Sequence, residues 1–92
     1  MSLLLKMGNE VAFNDKERKL LLDTPYVGAK VIERLEDIGI DNFKKLSKSS
    51  VEEITNIVSE MLGSTCWKNS WQSKQAIKNA IETANDFLQN KV

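Results

Sequence analysis

The chain has no histidine, one cysteine (Cys66), one proline (Pro25) and four glycines. A single cysteine excludes a disulfide framework within one chain, and without histidine there is no Cys/His zinc site. The commonest general base is also missing, and no nucleophile motif replaces it. Neither catalysis nor a cofactor is expected. No apolar run approaches the ~20 residues of a membrane-spanning helix. Leu3-Leu4-Leu5 is too short for the core of a signal peptide, so a cytoplasmic chain with no membrane partner is expected. Charge of one sign is absent as well. Thirteen basic and 13 acidic residues give a net charge of zero, so any contact with nucleic acid must come from a local patch.

What is present is a mixture fit for a globular domain, 41% apolar and 28% charged. Ninety-two residues make one small domain, burying roughly 60–65% of the surface of its unfolded chain. Residues 1–13 show no clean period. They form a segment that is either flexible or docked through Leu3, Leu4, Leu5, Met7, Val11 and Phe13, and Met1-Ser2-Leu3 reads equally as a leader.

From residue 14 to 92 the apolar runs outside Ser64 to Gln72 have helical spacing. Asn14 is placed as an N-cap with Glu17 as its capping-box partner, opening a helix from Asp15 to Asp23 that shows Leu20, Leu21 and Leu22 to the core. Pro25 ends it. A second helix, Ala29 to Ile38, carries Val31, Ile32, Leu35 and Ile38 on one face. Gly39 then fits the left-handed C′ position, with Ile40 reaching back to Leu35 as in a Schellman motif. Asp41 is expected to cap a short helix carrying Phe43 and Leu46. Ser50 and Glu53 form a second capping box. The helix after it puts Val51, Ile54, Ile57, Val58, Met61 and Leu62 on one face and ends at Gly63. Ser64 to Gln72 gives no clear period. A last helix, Ser73 to Asn90, aligns Ala76, Ile77, Ala80, Ile81, Ala84, Phe87 and Leu88. The expected fold is all-α and compact, with five helices and no strand.

The stretch L-L-D-T-P-Y-V-G-A-K-V-I-E-R-L-E-D-I-G-I, Leu21 to Ile40, is helix, tight turn, helix. Gly28 stands where the second helix opens and is read as supplying backbone angles closed to other residues. The stretch resembles the helix-hairpin-helix motif, whose usual form reads L-P-G-V-G-x-x-x-A-x-x-L-x-x-x-G-I. A connector I-G-I-D-N-F-x-x-L, an S-x-E-E helix, and a glycine and cysteine before a final helix extend the likeness over Leu20 to Phe87. That whole is similar to small stand-alone bacterial domains of the SAM-like class: pathogenicity-locus proteins, the C-terminal domain of TfoX-type competence regulators and a mitomycin-resistance-like group. The resemblance implies an all-helical domain that binds DNA or a protein partner; it does not imply catalysis. By position, backbone N–H groups of Val27, Gly28, Ala29 and Lys30 would meet a phosphate oxygen. Lys30 and Arg34 would add positive charge, with no reading of base sequence. Two residues depart from the motif. Tyr26 replaces the first glycine, and Ile32 replaces a small residue.

Other features have simpler readings. Lys44, Lys45 and Lys48 are a solvated face. Glu36/Asp37 and Glu52/Glu53 are surface charges, because adjacent residues on a helix do not face each other. Cys66 is read as a small buried hydrophobe. Gly63 is read as a helix C-cap, although Met61 to Thr65 echoes the first hairpin. Trp67 and Trp71, four apart, would share a helical face, as core or as a hot spot for a protein partner or a homodimer. Two functions are compatible with these residues: sequence-independent DNA-backbone binding through residues 25–30, or protein interaction through the Trp67/Trp71 region or the apolar N-terminus.

Overall fold

Ala76, Ala80 and Ala84 recur every four residues on one face of the last helix, with Ile77 beside them, and all four are buried. Small side chains in such a row let other helices approach closely. In the computed structural model, which describes residues 12–89, every other helix touches this one. The described residues form six helices and no strand: α1 Asp15–Leu22, α2 Ala29–Asp37, α3 Phe43–Ser47, α4 Val51–Leu62, α5 Cys66–Asn69 and α6 Trp71–Gln89. The all-α class is as expected. The sixth helix is α5, a single turn within the stretch that showed no period.

The helix starts follow from their caps. Asn14 Oδ1 accepts from the Glu17 N–H (2.8 Å) and Ser50 Oγ from the Glu53 N–H (3.1 Å), as their spacing requires. For α3 the cap is one residue later than expected. Asn42 Oδ1 accepts from the Lys45 N–H (2.8 Å), while Asp41 instead pairs with Lys45 Nζ at 3.0 Å. Helix α6 begins two residues earlier than expected, because the Ser70 hydroxyl accepts from the Ser73 N–H (3.3 Å).

Gly39 is left-handed (φ 92°), with the Ile40 N–H donating to Leu35 O (2.9 Å) and the Gly39 N–H to Glu36 O (3.0 Å). That is the expected Schellman ending. Gly63 (φ 67°) repeats it, its N–H donating to Glu60 O and that of Ser64 to Ser59 O. Gly63 is therefore a C-cap, and the helix beyond it, α5, is only one turn long.

Phe43 sits at the centre of the core, fully buried. Its ring meets Phe87 edge-on at 5.3 Å and Phe13 at 6.2 Å, offset geometries that aromatic pairs favour. Phe13 therefore docks; the apolar residues before it, Leu3 to Val11, lie outside the described residues, as does Asn90. Glu36 holds this corner. Its carboxylate accepts from the Phe13 N–H (3.0 Å) and lies 3.5 Å from Arg18. It is a half-buried anchor between α1 and α2 rather than a surface charge.

Two faces turn differently from the sequence pattern. In α1 Leu21 is buried and Leu20 packs partly, but Leu22 points outward. Three consecutive residues sweep ~200° of a helix, so they cannot all face inward. In α4 the buried set is Ile54, Thr55, Val58 and Ser59, leaving Ile57, Met61 and Leu62 exposed. The one-turn α5 causes this rotation. The Lys68 N–H donates to Ser59 Oγ (3.0 Å), drawing a polar residue under cover. Thr55 satisfies itself on Glu52 O (3.2 Å).

Candidate functional site

The turn between α1 and α2 is built on Pro25. Its ring holds φ near −65°, which suits the second position of a β-turn. The Val27 N–H closes the turn on Thr24 O (3.1 Å), and Tyr26 takes φ 69°. Proline followed by a positive φ is a type II turn, whose third position normally belongs to glycine. Tyr26 carries the strain of the hairpin, of order 1 kcal/mol. Gly28 does not. Its φ of −121° and ψ of −174° are extended backbone open to any residue, and nothing lies within 4 Å of where a Cβ would stand. The left-handed position belongs two residues earlier than the sequence suggested.

The turn is hydrogen-bonded to α6 by two side chains one turn apart along it, the second braced by a third. Thr83 meets Thr24 Oγ1 at 2.9 Å, and Thr24 in turn donates to Leu20 O (2.8 Å). Asn79 donates to the Pro25 carbonyl (3.0 Å), and Gln75 donates to Asn79 Oδ1 (2.9 Å). At the end of this row, Trp71 lays its ring edge-on against Tyr26, centroids 5.8 Å apart. Both rings face water, with Tyr26 57% and Trp71 60% exposed.

The five residues expected to bind phosphate have separate fates. The Val27 side chain is buried and its N–H is spent inside the turn. Gly28, Ala29 and Lys30 are exposed, and their N–H groups make no hydrogen bond among the described residues. Helix α2 starts without a side-chain cap and without an acidic residue in its first turn. By contrast α1 has Asp15 and Glu17 there, and α4 has Glu52 and Glu53. The Lys30 side chain is exposed with no ion pair among the described residues. Arg34 is tied to Asp37 at 3.2 Å and half-buried, so it is not a free cation.

Of the connector lysines, Lys45 pairs with Asp41 and reaches Gly39 O (3.4 Å), near the negative end of α2. Lys44 and Lys48 are exposed, as expected of a solvated face.

Trp67 and Trp71 do not share a face. Ser70 is extended (φ −90°, ψ 119°) and breaks the helix between them. Trp67 packs against the core from α5. Cys66 is exposed, not buried. Neighbours on a helix point ~100° apart, and turning the tryptophan inward turns the smaller cysteine out.

No family model, curated protein or solved structure matches this chain. An open groove of about 830 Å³ lies between α4 and α5, away from the hairpin, lined among others by Ser59, Glu60, Thr65 and Lys68. Among the described residues no group of three or more Cys, Asp or Glu side chains is placed to hold a metal ion, and no helix is long and apolar enough to cross a membrane.

The sequence alone did not mark Tyr26 as the strained residue, though proline at the preceding position was a signal for it. Nor did it show that Tyr26 and Trp71 meet. Their separation of 45 residues leaves no local trace.

Proposed function

We propose that this chain is a helix-hairpin-helix domain that binds the DNA backbone weakly and without regard to sequence, through the hairpin at residues 25–30. One observation carries the reading. The uncapped start of α2 offers the N–H groups of Gly28, Ala29 and Lys30, which make no hydrogen bond among the described residues, on an exposed turn that also carries the Lys30 side chain. Backbone N–H groups with a nearby cation suit a phosphate oxygen and carry no sequence information. The hairpin's rigidity supports the same reading, since side-chain bonds to α6 hold the donors in place before any ligand arrives. A domain that works on DNA in this way belongs in the cytoplasm.

With Arg34 engaged by Asp37, one or two phosphates are neutralised. Log K should fall with log salt at a slope of roughly −1 to −2, at about −0.9 per phosphate. Binding by one chain should be weak, ~10⁻⁴ M or weaker at physiological salt. Titration of two duplexes of unrelated sequence at several salt concentrations tests this. Equal affinities that drop alike in Lys30→Glu support it; retention unchanged by Lys30→Glu at low salt rejects it.

A second reading is favoured by Ile57, Met61 and Leu62, exposed together on α4. They suit a protein partner or a second copy of the chain. Sedimentation of Met61→Glu beside the unaltered chain separates this reading: loss of self-association supports it, and a monomer in both cases removes the homodimer.

A further inference from the structure

Tyr26 and Trp71 are 45 residues apart in sequence, yet their rings touch and both stay in water. A core explains neither ring. Tyr26 moreover holds a left-handed backbone that glycine would adopt without strain. The side chains that follow Trp71 along α6 toward the turn are polar: Gln75 donates to Asn79, Asn79 to the Pro25 carbonyl, and Thr83 pairs with Thr24. Protein-binding hot spots centre instead on packed pockets that exclude water.

Between Asp23 and Glu82, which bound the two segments, the charged residues from Thr24 to Lys30 and from Trp71 to Ile81 are Lys30, Lys74 and Lys78, in a chain whose net charge is zero. Lys78 follows Trp71 by seven residues, two turns along α6 and within ~20° of the same face. Trp71 is the first residue of α6, and Tyr26 lies three residues before α2 begins, so two helix starts lacking acidic residues adjoin the rings.

We propose that the Tyr26–Trp71 pair is a stacking platform for an unpaired base, and that the ligand of this surface is single-stranded DNA. This rests on the DNA-backbone reading above and names the form of DNA. A duplex hides its base faces in the stack and offers only phosphates. A single strand offers both, and exposed rings flanked by lysines take up both without reading sequence. The ring at position 26 also stands where a glycine would let a bulky duplex backbone come close.

Trp71 reports its own occupancy in a Trp67→Phe chain. Three probes of equal phosphate number serve: a single-stranded oligothymidine, a strand of abasic residues of the same length, and a duplex of half that length. The expected result is quenching of Trp71 emission by oligothymidine, with affinity about tenfold or more above that of the other two. Trp71→Ala, measured by anisotropy of labelled strands, should lower oligothymidine to the abasic level and leave the abasic and duplex affinities unchanged, and Tyr26→Ala should likewise remove the preference for oligothymidine over the abasic strand. Trp71→Phe, which keeps a ring, should retain most of the preference. Melting followed by circular dichroism identifies any variant that fails to fold, and Trp71→Phe then decides. Equal binding of all three probes, reduced by Lys30→Glu, overturns the platform and keeps the phosphate hairpin. Absence of binding by every probe at low salt overturns both. Unchanged oligothymidine binding in Trp71→Ala, with loss of self-association, overturns the platform in favour of a protein partner.

Discussion

The hydroxyl oxygens of Thr24 and Thr83 lie 2.9 Å apart, joining the first hairpin to the last helix across 59 residues. The direction of the bond follows from proton count. Thr24 has one hydroxyl proton and gives it to Leu20 O (2.8 Å), so Thr83 is the donor and Thr24 the relay. Thr83→Val should remove one bond and cost about 1 kcal/mol. Thr24→Val should remove both and leave Leu20 O and Thr83 unpaired, costing about 1–3 kcal/mol. The double variant should cost less than the sum, since the two share a bond. Urea unfolding of the three variants measures all of this.

Leu35 and Leu22 offer a matched pair on the two sides of the domain surface, with exposures of 0% and 47%. Leu35→Ala should cost roughly 2–5 kcal/mol, the range for a large-to-small change in a packed core. Leu22→Ala should stay within about 0.5 kcal/mol. Similar losses in urea would show that α1 does not present Leu22 to water.

Glu17 Oε1 is buried with no hydrogen-bond partner among the described residues. The Glu17 side chain points toward α3, where burial raises its pKa above the usual 4.5, the Phe43 backbone opposes the rise, and the Asp41 charge adds to it. The folded state therefore holds the proton more tightly than the unfolded chain. Glu17 contributes stability that is complete below its unfolded pKa and is lost as pH rises through the folded value. Glu17→Gln keeps the shape and removes the charge. Its advantage over the unaltered chain should be small at acid pH, grow as pH rises from about 4.5, and level off near neutrality. Paired urea midpoints from acid to neutral pH check the sign; an advantage that shrinks with rising pH refutes it.

Gly28 is an N-cap without a cap, in extended backbone with room for a side chain. Gly28→Ser should accept an N–H two or three residues on and raise stability by about 0.5 kcal/mol. The same hydroxyl would occupy a donor that the proposed phosphate needs. Thermal melts should therefore rise while DNA affinity falls. A variant both more stable and equally adhesive to DNA would show that the start of α2 is not the binding element.

What was legible in the sequence was local. Asn14, Ser50, Gly39 and Gly63 each act within a few residues of themselves, so their caps could be read directly. The inward faces of α2 and α6 followed from period alone, except that Leu88, expected on the α6 stripe near its end, is exposed. What escaped was settled across the chain. Whether Ile57 or Ser59 is covered depends on α5, which exists because Trp67 docks on the core. Cys66 is exposed for the same reason. Tyr26 takes the left-handed position because Pro25 fixes the residue before it and because Thr24, Pro25 and Tyr26 are all held by α6. Within the candidate site, Lys30 and the open donors could be read from spacing. The engagement of Arg34 by Asp37 and of Val27 by Thr24, and the meeting of Tyr26 with Trp71, could not.

The row Trp71, Gln75, Asn79 and Thr83 also sets an order of events during synthesis. Each long-range partner of the hairpin lies on α6, so until α6 is made the turn has only its local bonds, Val27 to Thr24 and Thr24 to Leu20. Until α6 emerges, Leu21 of α1, Ile32 and Phe43 have no alanine face to close against, and the hairpin is only a local preference. Long-range closure of this kind slows folding relative to neighbour-by-neighbour helix packing. A chain cut after Asn69 would lose the alanine face against which every other helix packs and expose much of its apolar interior.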